Sequence, residues 1–183
     1  MRVYRVLPWL PTARQGEPGH PLYVPPRNTA GRLDNPDQYR VLYVATGPVA
    51  AVAEAFGSFE LWTAAMLAGP PTLPGSGRGI AEYEIPDDLA ILDLDDGPAL
   101  VEWGLRPSQV VTRQRSVTQA WARRVSESHR FAGVRWWSYY NPDWGAIGVW
   151  DISKVEVLDV AILNMDSEVL EEARAVLMRN WVA

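Results

Sequence analysis

The sequence predicts an α+β fold. Segments typical of strands occur at the start, in the middle and toward the end of the chain, and segments typical of helices lie between them without a regular strand-helix alternation. The chain has 183 residues, of which 48% are hydrophobic, enough for one well-buried core. We therefore expect a single domain over residues 1–183.

Runs of β-branched and aromatic residues predict the strands. They lie at residues 2–7, 40–46, 79–85, 90–94, 133–138, 146–151 and 155–160. The segment 8–37 is crowded with Pro, Gly and charged residues and predicts a long loop, of the kind that often forms the wall of a binding site. A second loop is expected at 70–79, where the glycine-rich stretch 74–79 lacks the lysine and spacing of a phosphate-binding loop.

Four segments carry helix signals. Pro48 suits the first turn of a short alanine-rich helix that ends at Phe56, and residues 58–69 are expected to continue helical. Residues 116–119 have the form of a capping box and are followed by an apolar stripe, which predicts a further helix. The last helix is expected from about Asp166 to Asn180, with acidic residues in its first turn.

Composition bounds the function. A net charge of -5 disfavours a nucleic-acid-binding protein, because such domains usually carry a basic excess. No apolar run approaches the roughly 20 residues needed to cross a membrane, and no leader-like segment is evident, so we expect a soluble, cytoplasmic protein. With no cysteine and two separated histidines, we expect no disulfide and no metal site. The acidic clusters at 87–88 and 93–96 are expected to be solvated strand ends.

Five polar residues stand out because they interrupt apolar or loop segments. They are Arg5, Arg32, Tyr43, Glu54 and Ser138. The step from Arg32 to Tyr43, and from Tyr43 to Glu54, is about eleven residues each time. This ordered set resembles the RES family, named for its Arg, Glu and Ser. The resemblance extends over nearly the whole chain, through segments 91–94, 118–122 and 147–151.

The resemblance implies both a fold and an activity. It indicates the curved, split β-sheets of ADP-ribosyltransferase-like folds, flanked by helices, with a cleft for NAD between them. It implies an enzyme that cleaves the nicotinamide-ribose bond of NAD with water or inorganic phosphate as acceptor, an NAD glycohydrolase or phosphorylase. Such an enzyme is commonly the toxin of a toxin-antitoxin pair, so a small helical antitoxin is the expected partner.

Glu54 is the only charged residue of its predicted helix. Because burial of an unpaired carboxylate is costly, Glu54 either faces a polar cleft or lies on the exposed side of that helix. Cleavage of NAD leaves a cationic, oxocarbenium-like ribose, which a carboxylate stabilises. The resemblance accordingly assigns Glu54 to the ribose hydroxyls and to this cationic transition state.

The other four residues have both an ordinary and a functional interpretation. Arg5 and Arg32 are either solvated arginines or bidentate ligands of NAD phosphate or ribose groups. Tyr43 is either a core tyrosine or an active-site residue that stacks on nicotinamide or ribose while its hydroxyl orients the scissile region. Ser138 lies among aromatic residues without an obvious general base, so we expect a hydrogen-bond donor to the substrate rather than a nucleophile.

The sequence also departs from the usual RES pattern. Leu33 and Asp34 replace an aromatic residue and an asparagine, Asp37 replaces a glycine, and Trp137 precedes Ser138 where a smaller residue or proline is common. These departures bear on pocket shape and on the acceptor. A protein ADP-ribosyltransferase, which uses a protein side chain as acceptor, therefore stays open as an alternative, as does a non-catalytic nucleotide-binding or interaction module.

Overall fold

The computed structural model describes residues 1–182, and Ala183, the last residue of the expected domain, lies outside the described residues. All seven strands of this part of the chain join one mixed sheet in the order β4-β5-β6-β2-β1-β3-β7. The strands are β1 (Arg2–Trp9), β2 (Leu42–Ala45), β3 (Gly77–Glu84), β4 (Ile91–Asp93), β5 (Gly133–Trp137), β6 (Gly145–Val149) and β7 (Glu156–Ile162). Only β4 and β5 pair in parallel; the other paired strands are antiparallel. The predicted α+β class is confirmed.

The sheet divides between β1 and β2. Strand β1 pairs with β3 along its whole length, from Arg2 to Trp9, but its register with β2 is confined to the pair Tyr4 and Ala45. One half of the sheet is therefore β4-β5-β6-β2 and the other is β1-β3-β7. This is the split that the family resemblance implies, and the backbone at the split forms part of the cleft described below.

The helices flank one face of the sheet. They are α1 (Pro48–Phe56), α2 (Gly97–Glu102), α3 (Pro107–Val110), α4 (Arg115–Glu127) and α5 (Glu168–Val176). Val6 and Ile80 pack with residues of α1 and α5, whereas Val3 and Leu7, which alternate with Val6 along β1, pack in a separate cluster. That second cluster is covered by loop residues, including Val24 of the long segment between β1 and β2.

Two predicted helices differ from the observed ones in detail, and two observed helices were not predicted. Helix α4 begins at Arg115, so Ser116 lies inside its first turn and the capping box does not form; the helix itself is confirmed. Helix α5 is shorter than expected, because the chain turns at Met178, whose φ of 51° is left-handed, and Arg179 N–H bonds back to Arg174 O.

Helices α2 and α3 lie in a segment for which we predicted no helix. Asp96 was expected to end a strand, but its side chain caps α2 by accepting a hydrogen bond from Ala99 N–H.

The prediction of a helix at residues 58–69 was wrong. Only a 3₁₀ turn, Ala64–Leu67, forms there. The reason is a long-range pairing: Trp62 N–H donates to Asn180 O, and Val182 N–H donates to Trp62 O. The fully buried Trp62 ring packs edge-on to Trp181, so tertiary contacts take the backbone groups that a helix would have used. Among residues 1–182, no helix is long and apolar enough to cross a membrane.

Candidate functional site

A cleft of about 330 Å³ opens where the sheet divides. This volume is within the range typical of small-molecule sites, roughly 300–1,000 Å³. Four of the five residues singled out in the sequence line it: Arg5, Arg32, Tyr43 and Glu54. Strands β1, β2 and β6, helix α1, the start of α4 and the predicted wall loop 8–37 all contribute lining residues, so residues distant in the sequence share one cavity.

Ser138, the fifth residue, contacts the cleft through Glu54. Its hydroxyl donates to Glu54 Oε1 at 2.6 Å, and its oxygen accepts the N–H of Tyr140 at 3.1 Å. Ser138 is buried whereas Glu54 is exposed to solvent within the cleft. Glu54 lines the cleft and is also exposed, so the structure combines features of the two interpretations that the sequence left open. Ser138 positions a carboxylate, and no histidine lies among the lining residues to activate it as a nucleophile.

The end of α1 supports Glu54 from behind. Gly57 follows the helix, and a side chain there would meet the Tyr140 ring at 2.6 Å, so ring and backbone are in close contact. Arg179 Nη2 donates to Gly57 O at 2.8 Å. Burial, followed by the nearby Glu54 carboxylate, raises the pKa of Tyr140, so its phenol stays neutral beside the acid. Ser138 thus holds the carboxylate directly, while the Tyr140 ring and Arg179 contact the helix end beside it.

Arg32 is held by the backbone of another segment. Its Nη1 donates to Val110 O at 2.5 Å, at the end of α3, and to Thr112 O at 3.0 Å, in the connection to α4. Burial lowers the pKa of Arg32, the Arg115 charge lowers it further, and the Glu54 charge raises it. The guanidinium therefore lies within electrostatic range of both a second arginine and the carboxylate. Its carbon Cζ is 6.0 Å from the centre of the Trp136 ring.

Tyr43 fixes the loop that carries Arg32. Its hydroxyl accepts the N–H of Leu33 at 2.8 Å and donates to Asp34 Oδ1 at 2.8 Å, while Asp34 Oδ2 accepts the N–H of Gly31 at 2.6 Å. Burial, followed by the Asp34 carboxylate, raises the pKa of Tyr43, so the phenol remains a donor. A side chain at Gly31 would meet the Tyr43 hydroxyl oxygen at 2.5 Å, so only glycine fits there.

The two departures at Leu33 and Asp34 are therefore structural parts of the site. Leu33 is fully buried in the cluster formed with α3, α4 and β5, and Asp34 is buried against Tyr43. Asn35 is buried next to them, and its amide donates to Leu33 O and to Gln119 O of α4. Sequence reasoning did not identify Asp34 or Asn35 as site residues, although both lie in the motif with Arg32.

Arg5 departs most from expectation. It lines the cleft from β1, but its Nη1 donates to Tyr23 O at 3.2 Å in the wall loop. Burial lowers its pKa, with Tyr83 as the opposing neighbour, and Tyr83 belongs to the cluster on the sheet face away from the helices. The guanidinium thus ties the wall loop to the sheet.

Two lining residues, Arg115 and Asn28, were not identified from the sequence, whereas Tyr139 belongs to the aromatic segment around Ser138 that was expected to be either core or the lining of a nucleotide pocket. Arg115 is exposed at the start of α4 and its Nε donates to Ala30 O at 3.1 Å. Tyr139 is 62% exposed, and Arg113 lies over its ring, with Cζ 5.1 Å from the ring centre and Nη2 donating to its hydroxyl at 3.2 Å. Asn28 of the wall loop lines the cleft as well.

Within residues 1–182, no group of three His, Asp or Glu side chains is arranged so that it could hold a metal ion.

Fold and cleft together define an α+β protein with arginine, tyrosine and carboxylate side chains gathered at a split in its sheet. The profile of the RES domain matches residues 2–169, and the chain belongs to the RES domain family. A comparison with curated proteins finds no match.

Among solved structures, the chain is similar to one in the crystal structure of the M. tuberculosis MbcT-MbcA toxin-antitoxin complex. The TM-score is 0.63 and the sequence identity 18%, over 95% of this chain and 88% of that chain. At this identity the likeness shows a shared fold.

Proposed function

We propose that this protein cleaves the nicotinamide-ribose bond of NAD. The observation that carries the proposal is the 2.6 Å hydrogen bond from Ser138 to Glu54 in a cleft that Arg32 also lines. A carboxylate and a guanidinium within electrostatic range of each other match a substrate that develops positive charge on a ribose and carries negative charge on phosphates. Membership of the RES family supports the same substrate.

The proposed reaction has two steps, departure of nicotinamide and capture of the ribose by an acceptor. The carbon-nitrogen bond between ribose and nicotinamide breaks, and its electron pair leaves with nicotinamide. The Glu54 carboxylate, oriented by Ser138, stabilises the cationic ribose. An oxygen of water or of inorganic phosphate then forms the new bond to the ribose carbon. Water as acceptor gives ADP-ribose and releases one proton, and phosphate gives ADP-ribose-1″-phosphate.

We further propose that the protein is the toxin of a toxin-antitoxin pair, with a small helical antitoxin as its partner. Support comes from the structural neighbour, which was solved as a toxin-antitoxin complex, and from family membership. Unrestrained cleavage would deplete NAD. Production of the protein alone is expected to arrest growth of a host cell and lower its NAD content, whereas a Glu54→Gln variant is expected to do neither.

The direct test is incubation of purified protein with NAD, with and without phosphate, followed by mass analysis. Release of nicotinamide together with ADP-ribose identifies the glycohydrolase, and ADP-ribose-1″-phosphate identifies the phosphorylase. Addition of ADP-ribose to a protein present in the assay identifies the transferase alternative. Absence of nicotinamide release under all these conditions would contradict the proposed activity and favour the non-catalytic module.

A further inference from the structure

The distribution of arginines around the cleft differs from the one that the sequence predicted. A dinucleotide carries two negative charges on its pyrophosphate, and the sequence assigned Arg5 and Arg32 to them. The structure places the Arg5 guanidinium against Tyr23 O and Tyr83, where burial opposes its charge. Because Arg5 is buried as well as bonded to the wall loop, it is less able to capture a phosphate than an exposed arginine. One of the two expected cations is therefore missing from the open part of the cleft.

Arg115 supplies a cation in that open part. It lines the same cleft as Arg32 and Glu54 and is exposed. One of its donors, Nε, holds Ala30 O in the wall loop, and this contact orients the side chain. Both guanidinium groups therefore line one cleft, and the Arg115 charge helps to lower the pKa of Arg32. Two like charges held close together are stabilised by an anion between them.

The surroundings of Arg115 fit the same ligand. Arg32 Nη1 is committed to two backbone carbonyls, so Arg32 alone cannot offer its full fork to a phosphate. Arg113 and Tyr139 lie stacked at the rim, with the tyrosine ring exposed, where a base could stack on it. In a chain of net charge -5, this local concentration of arginine at one cavity favours an anionic ligand.

We propose that Arg115 is a substrate-binding residue, and that it holds a phosphate of the dinucleotide beside Arg32, in the role that the sequence assigned to Arg5. This inference rests on the proposed function, since it names the part of NAD that the rim of the cleft recognises. The ligand class is a nucleoside diphosphate group, and the contact is a charge-assisted hydrogen bond.

The test uses ADP and adenosine as probes, because they share the base and ribose and differ in the phosphates. Binding to the full-length protein is measured by isothermal titration calorimetry at low salt. We expect Arg115→Gln to raise the Kd for ADP by about tenfold or more and to leave adenosine unchanged. Arg115→Lys, which keeps the charge but loses the planar fork, should fall between wild type and Arg115→Gln. Arg14→Gln, at an exposed loop arginine that does not line the cleft, is the matched control.

Each outcome of this experiment either supports the proposed role of Arg115 or overturns it. Unchanged ADP affinity in Arg115→Gln, equal affinity of wild type for ADP and adenosine, or no ADP binding at millimolar concentration overturns the inference. Failure here is separable from failure of the proposed function. If the protein releases nicotinamide and Arg115→Gln binds ADP as wild type does, the proposed role of Arg115 is wrong and the proposed activity stands. If ADP binding depends on Arg115 but no nicotinamide is released, the anion subsite stands and the proposed reaction is wrong.

Discussion

The two sides of the cleft are built in different ways. Glu54 lies on helix α1 and is held by a direct hydrogen bond from the buried Ser138. Arg32 lies in a long loop, and its position depends on backbone carbonyls and on the Tyr43-Asp34 pair beneath it. We infer that substitutions on the Glu54 side reduce the rate of bond cleavage, whereas substitutions on the Arg32 side reduce stability and substrate affinity together.

The largest expected effect is that of Glu54→Gln. The amide keeps the size of the side chain but removes the charge that would stabilise a cationic ribose, so kcat for nicotinamide release should fall by about a hundredfold or more. The side chain is exposed to solvent, and the melting temperature should stay close to that of the parent. Glu60→Gln, an exposed acid after α1, is the control. If kcat of Glu54→Gln stays within a few-fold of the parent value, Glu54 does not take part in bond cleavage.

Ser138→Ala should have the next largest effect. The variant removes the donor to Glu54 and the acceptor of Tyr140 N–H, so the carboxylate is less well oriented. We expect kcat to fall by roughly ten- to a hundredfold with little change in KM, because the loss acts on the transition state. Ser58→Ala, at an exposed serine after α1, should behave like wild type. A rise in KM without a fall in kcat would instead show direct substrate binding by Ser138.

Tyr43→Phe tests the Arg32 side. Loss of the hydroxyl leaves Leu33 N–H and one Asp34 oxygen without their partner, which costs about 1–3 kcal/mol of unfolding free energy in a buried site. We expect a lower urea midpoint and a higher KM for NAD, since the Arg32 loop loses its anchor. Tyr139→Phe, at an exposed tyrosine, is the control for stability alone and should change it by less than about 0.5 kcal/mol. A loss of kcat alone would favour the hydroxyl chemistry considered from the sequence.

The sequence predicted the elements that depend on local pattern. Helices α1 and α4 have their own periodic apolar faces, and the strands have local β-rich composition, so both could be found without tertiary information. The segment 58–69 could not, because its backbone pairs with Asn180 and Val182, about 120 residues away in the chain. A split sheet was expected from the family resemblance, but its place between β1 and β2 was not predicted, since no periodicity encodes which strands pair poorly.

The candidate site, like the fold, could be predicted only in part from the sequence. Glu54 and Ser138 were identified as members of an ordered set, and the structure brings them together. Asp34 was noted only as a departure, because its partner Tyr43 lies in a different element and the pairing depends on how the loop folds back. Arg115 was missed because its sequence position in an amphipathic helix gives no sign that the helix begins at the cleft.

The smallest effect is expected for Arg179→Gln, which asks how much the Glu54 side depends on support from outside the cleft. Arg179 lies beyond the part of the chain that the RES profile matches, yet it binds Gly57 O at the end of α1. Loss of this charged hydrogen bond should lower unfolding free energy by about 1–2 kcal/mol and kcat by less than tenfold, with Arg14→Gln as the neutral control. Full retention of stability would show that α1 is fixed by its packing against the sheet and α5 alone. A fall in kcat as large as that of Ser138→Ala would instead place the end of α1 among the determinants of the carboxylate's orientation, and the contrast between the two sides would then extend to the C-terminal segment.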